Sequence, residues 1–321
     1  MMEPTSKSSM SRRGFVKGLA ALTAVAMPSA ASLAAAESSP APLAAAGQPR
    51  PAPPRKLKIS ILSYSFRGLL GQGQIDVFGY LEACKYRYGL EAADIWTGFL
   101  KSREDEAYLK SIREALDERE LELADLCVDE AHIWEDDPAA REKNHRNALA
   151  SLKAAAILGA RFMRVDAGSR GASWTNEQFD HIVQRYKEYA QFAQEHGFKV
   201  GAENHWGTEQ SWANLAKLYR AVSHPAFGLS CHIGGWAGSA EEKAAADREA
   251  APWVCHTHIP WDICEGPLEE KLANLWNVGY SGYYSVEHHS AKNEYRNVAI
   301  QLARVRAVLE RFRTGQSDRV K

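Results

Sequence analysis

From residue 57 onward the chain alternates short β-rich runs with longer amphipathic stretches, and no other feature restricts the fold as much. The runs are LKISILSYSF (57–66), LEAADIW (90–96), LELADLCV (121–128), RFMRVDA (161–167), FKVGAE (198–203), AFGLSCH (226–232), WVCHTHI (253–259) and GYYSVEH (282–288). The segments between them carry helix punctuation. One opens on Asp137-Pro138, a capping residue followed by proline at the first turn. Another opens on Thr175 and closes on Gly197, and glycines at 89, 159 and 279 likewise precede a strand. Eight strands alternating with helices across 57–312 predict an α/β fold, a single-domain (β/α)8 barrel. The competing architecture is an open doubly wound sheet, but SYSFRGLLGQG after the first strand is not a Gly-rich phosphate loop.

In such a barrel the C-terminal ends of the strands converge on one mouth. Here those ends are rich in reactive groups: Asp94 and Trp96, Asp166, Glu203 to His205, His232, His256 and His258, and Glu287 to His289. Alternation by two puts His256 and His258 on one face of their strand. Any one of these could be a polar group at a strand exit. Two Glu and two His arriving from four consecutive strands read instead as a site. Carboxylate oxygen with imidazole nitrogen suits Zn²⁺, Mn²⁺, Co²⁺ or Fe²⁺ better than Mg²⁺. The expected ligands of one divalent ion are Glu203, His232, His258 and Glu287. A metal so held could grip sugar oxygens and stabilise an enediolate, with Glu203 and Glu287 as acid and base. Trp96, Asp166, His205, Trp206 and His256 are the candidates for touching substrate.

The N-terminus has a different character. Arg12 and Arg13 precede an apolar stretch, and Ala34 to Ala36 supply a small-residue cleavage site. Residues 1–36 read as a signal peptide of the twin-arginine type, followed by an Ala/Pro/Ser-rich linker at 37–56; residues 313–321 read as a tail. The expected location is periplasmic or secreted. Five scattered Cys contain no CxxC pair and give no disulfide framework. A net charge of −1 removes the electrostatic case for a nucleic-acid or membrane-surface partner.

The pieces EHGFKVGAENHWG, FGLSCHIGG, CHTHIPWD and VGYSGYYSVEHH, with GLEAADIW and LGARFMRVDAG before them, are similar in order and spacing to the sugar phosphate isomerase/epimerase family of xylose isomerase-like TIM barrels. The resemblance implies one divalent metal on Glu203, His232, His258 and Glu287, with the two Glu as the acid–base pair. It also aligns Glu209 with a substrate-binding carboxylate of the ketose 3-epimerase branch; the competing assignment is a solvated residue at a helix start. Three positions depart from the family pattern. His232 stands where the family has Asp, Gly235 where it has His or Asn, and IPWD with Cys264 where a Lys or a Glu…Arg pair is common. The expected activity is metal-dependent sugar isomerisation or epimerisation. The alternatives are a lyase or hydrolase on keto-sugars or glycosides, and a carbohydrate-binding barrel without catalysis. The implied partners are a small carbohydrate, the twin-arginine export machinery and, in a homo-oligomer, a second copy of the chain.

Overall fold

A computed structural model describes residues 56–315. The expected signal peptide, most of the linker, and the tail beyond Gly315 lie outside the described residues. Eight parallel strands run in the order of the sequence runs: β1 (Ile59–Ile61), β2 (Ala92–Trp96), β3 (Glu122–Val128), β4 (Ala160–Val165), β5 (Lys199–Glu203), β6 (Phe227–His232), β7 (Val254–Ile259) and β8 (Tyr284–Val286). From β2 to β8 each strand pairs with the next in sequence, and β8 pairs with β1. Between β1 and β2 the sheet is joined by a single bridge, Leu62 to Asp94, so the ring is nearly closed. This is the (β/α)8 barrel, not the open sheet.

The helices are α1 (Arg67–Gly71), α2 (Val77–Glu82), α3 (Glu106–Glu118), α4 (Pro138–Leu158), α5 (Asn176–Glu195), α6 (Trp212–Val222), α7 (Ala240–Ala250), α8 (Trp261–Glu265), α9 (Leu268–Asn277) and α10 (Glu294–Thr314). Their ends obey local chemistry. The Asp137 carboxylate accepts from the Ala139 N–H and Pro138 occupies the first turn of α4. Thr175 and Gln178 form a reciprocal capping box on α5. Gly159 ends α4 at φ +68°, a conformation that frees the chain to turn into β4. Among the described residues no helix is long and apolar enough to cross a membrane.

Two irregularities matter for the mouth. The β2–β3 register shifts between Ala93 and Asp94, and the β6–β7 register shifts between Leu229 and Ser230. Both sit where a strand turns chemical side chains inward, the usual setting of such bulges. The barrel interior is correspondingly polar at this level: Asp94, Asp125, Arg164, His256 and His258 are all buried.

Candidate active site

Glu203 and His232 end β5 and β6, His258 is the penultimate residue of β7, and Glu287 directly follows β8. Pairing brings them together. Glu203 lies opposite Ser230, His232 opposite His258, and His258 opposite Ser285, while the Glu287 N–H bonds to the Ile259 carbonyl at 2.9 Å. His258 Nδ1 is 2.5 Å from Glu203 Oε1, and His232 Nδ1 is 3.4 Å from Glu287 Oε2. Donor atoms of Glu203, His232 and His258 lie within 4.8 Å of one another, as do those of His232, Glu287 and His289. His232 belongs to both groups and so joins them. The four expected ligands thus fall in two overlapping trios that share His232.

The cluster suits a cation. Two carboxylates with two imidazoles that have given up their protons, as ligation requires, sum to −2, the charge a divalent ion cancels. Glu287 Oε2 is buried and accepts no hydrogen bond, an arrangement that needs a reason. Mixed nitrogen and oxygen donors fit Zn²⁺, Mn²⁺, Co²⁺ or Fe²⁺. The electrostatics favour ionised carboxylates. Burial works against the charge on Glu203, but the charge and hydrogen bond of His258 and the charge of Arg164 hold it well below the usual range. Burial opposes the charge on Glu287 too, yet the His289 hydrogen bond and the neighbouring imidazoles bring it down to about 2. Burial lowers the pKa of His232, leaving a neutral ring able to ligate.

Around the cluster runs a frame built on Arg164 of β4. Its guanidinium lies 3.3 Å from Glu203 Oε2, 2.8 Å from Asp166 Oδ2 and 3.2 Å from Asp129 Oδ1. Asp166 in turn accepts from Trp206 Nε1 at 3.0 Å and lies 3.1 Å from His205 Nδ1. Asp129 accepts from Trp96 Nε1 at 2.7 Å. Tyr64 meets Trp96 edge-on at 5.1 Å between ring centres, and His132 meets Trp206 at 4.8 Å. Trp96, Trp206 and His205 are therefore partly exposed groups at the mouth, each tied back to the arginine frame.

Three of the expected substrate contacts are buried and engaged with protein groups. Glu209 is wholly buried, and its oxygens accept the backbone N–H groups of Ala167 and Gly168 at 2.8 and 3.4 Å. It pins the loop after β4 and is neither a solvated helix start nor free to bind a sugar. His256 is also wholly buried, 2.7 Å from Asp94 and stacked on Phe162. Alternation put it on the right face but one step too deep. Asp166 is buried and orients His205 and Trp206 rather than meeting substrate itself. Sequence reasoning does not single out Arg164, Asp125 or Asp129. The available signal is a charge in the middle or at the end of a run that otherwise reads as buried strand.

With this geometry in view, residues 82–308 match the family model described as Xylose isomerase-like TIM barrel. The chain belongs to that family. No curated protein matches it by sequence. Among solved structures, a D-tagatose 3-epimerase-like protein superposes with a TM-score of 0.62 at 18% identity, over 80% of this chain and 100% of that one. The IolI protein, solved with a binding zinc atom, gives 0.62 at 14% identity over 82% and 100%. A 3-keto-D-glucoside 4-epimerase from E. coli in its apo form gives 0.59 at 14% identity over 78% and 100%. At these identities the likeness is one of fold.

Proposed function

We propose that this barrel is a divalent-metal-dependent sugar isomerase or epimerase, in which Glu203 and Glu287 move a proton on and off the carbon beside a carbonyl. The observation that carries the reading is the convergence of Glu203, His232, His258 and Glu287 from four consecutive strands, with one buried carboxylate oxygen left without a hydrogen bond. A divalent cation, when bound there, supplies Lewis acidity toward the sugar oxygens. The two Glu have different surroundings. Glu203 is paired with Arg164 and His258, which keep it ionised and fixed. Glu287 faces His232 and the half-exposed His289, and its Oε2 has a lone pair to offer a proton. Trp96 and Trp206, partly exposed at the mouth, would give sugar C–H groups aromatic surface to pack on. The 3-keto-D-glucoside 4-epimerase and the D-tagatose 3-epimerase-like protein among the structural neighbours support a carbohydrate substrate.

A second reading, a lyase or hydrolase on a keto-sugar glycoside, draws on His289. Its Nε2 lies 3.2 Å from Glu287 on the solvent side, where an imidazole could protonate a leaving group. Export through the twin-arginine route to the periplasm or beyond, with the metal loaded before transit, accords with Arg12, Arg13 and the apolar stretch after them.

The test is solvent-deuterium exchange into candidate sugars, with elemental analysis of the protein as purified. Glu203→Gln and Glu287→Gln keep shape but remove the base, so exchange should fall at least about 10²-fold in each. Undiminished exchange in either variant removes its proton-transfer role, and protein without stoichiometric metal removes the metal reading. Release of an aglycone instead of an isomerised sugar selects the lyase.

A further inference from the structure

Behind the four candidate ligands lies a second set of wholly buried titratable groups that the proposed reaction does not use: Asp94 on β2, Asp125 on β3 and His256 on β7. Burying carboxylates is costly unless each has a partner, so the partners show what the fold does with them. Asp94 Oδ2 accepts the Ser285 hydroxyl at 2.6 Å. The same oxygen lies 2.7 Å from His256 Nε2 and 3.4 Å from His258 Nε2. His258 therefore stands between two carboxylates, with Nδ1 toward Glu203 and Nε2 toward Asp94. Asp125 Oδ2 faces the same Nε2 edge from 4.0 Å.

Asp94 is itself held rigidly. The Tyr80 hydroxyl accepts its backbone N–H at 2.8 Å and lies 2.6 Å from the Ile61 carbonyl, which locks Asp94 to the seam where the barrel closes. The β2–β3 register slips just before it, between Ala93 and Asp94, a bulge that re-aims the side chain. Seam, bulge, Ser285 and His256 together fix one carboxylate oxygen against one edge of His258.

Both nitrogens of His258 face a carboxylate. Nδ1 is hydrogen-bonded to Glu203, itself a candidate ligand, and Nε2, which makes no hydrogen bond within the protein, has Asp94 Oδ2 at 3.4 Å. If a cation takes the place of the Nδ1 proton, Asp94 is the group left to hold a proton on Nε2. We propose that Asp94 is the positioning residue of the metal centre: it holds the Nε2–H edge of His258, so that Nδ1 is the nitrogen presented to the cation. His256 and Ser285 keep Asp94 from rotating away. The inference rests on the metal reading of the preceding section and adds to it a residue that touches neither metal nor substrate.

The experiment is a competition titration of the full chain with Zn²⁺ and a chromophoric chelator, with ¹⁵N spectra of the zinc-loaded protein. Asp94→Asn should weaken Zn²⁺ binding about 10- to 100-fold, the usual effect of losing a carboxylate behind a ligating imidazole. Ser285→Ala, which loosens Asp94 without removing its charge, should weaken Zn²⁺ binding less than Asp94→Asn does. The parent's spectra should show His258 ligated through Nδ1 and protonated at Nε2. Asp94→Asn with parental affinity overturns the proposal, as does Ser285→Ala losing as much as Asp94→Asn. Should Asp94→Asn not fold, the parent's spectra decide alone, since ligation through Nε2 also overturns it. A parent that binds no Zn²⁺ sinks the metal reading itself, an outcome distinct from the others.

Discussion

Glu287 shows how a single buried carboxylate ties the mouth to pH. Burial would raise its pKa, but the hydrogen bond from His289 and the charges of His232, His258 and His289 outweigh that and set it at about 2 against an ordinary 4.5. A carboxylate whose folded pKa is depressed contributes stability above its unfolded pKa and loses it as pH falls through the folded one. In metal-free protein the contribution should be whole above roughly pH 4.5 and gone near pH 2. Urea unfolding at a series of pH values checks this: the parent should lose stability more steeply than Glu287→Gln across that window. Parallel curves would show that Glu287 gains nothing from its imidazoles. At this scale the four ligand candidates could be named because carboxylates and imidazoles leave four consecutive apolar runs together. Arg164 was not. In RFMRV an arginine reads as an ordinary alternating position, and only the fold brings Glu203, Asp166 and Asp129 around it.

Elements were the most readable level, since each is written in short-range chemistry. The Asp137-Pro138 start, the Thr175 box and the left-handed glycines at 89, 159 and 197 act within a few residues of themselves. The close approach of β5 and β6 was not readable. A Cβ built on Gly201 would stand 1.8 Å from the Gly228 carbonyl oxygen and 3.1 Å from the Phe162 ring. That contact lies two residues before Glu203, so any side chain there pushes the strand that aims the carboxylate. Gly201→Ala should therefore destabilise the barrel by at least about 1–3 kcal/mol, the range for overpacking a filled interior. It should also weaken metal binding. Denaturant midpoint and metal content are the measurements, and an unchanged midpoint would show that the two strands can part without cost. The depth of His256 belongs to this level too. A period of two assigns a face but not a depth, and one step of two along β7 separates a group at the cluster from one against Phe162.

For the whole molecule, the export proposal has a direct check. Changing Arg12 and Arg13 together to Lys should strand the precursor in the cytoplasm, because recognition of this signal class depends on the paired guanidinium groups. Cell fractionation reads the outcome, and normal levels of mature protein outside the cytoplasm would sink the assignment. The sequence by itself determined the eight-fold alternation, the starts of α4 and α5 and the residues at the strand exits. Those follow from interactions between positions a few residues apart, where local propensity and capping operate. The tertiary structure alone decided the closure at Leu62 and Asp94, the burial of Glu209, the arginine frame and the carboxylate behind His258. These are pairings between strands far apart in the chain. Their strength depends on burial and on distances of 2.6 to 3.4 Å that no spacing along the sequence encodes.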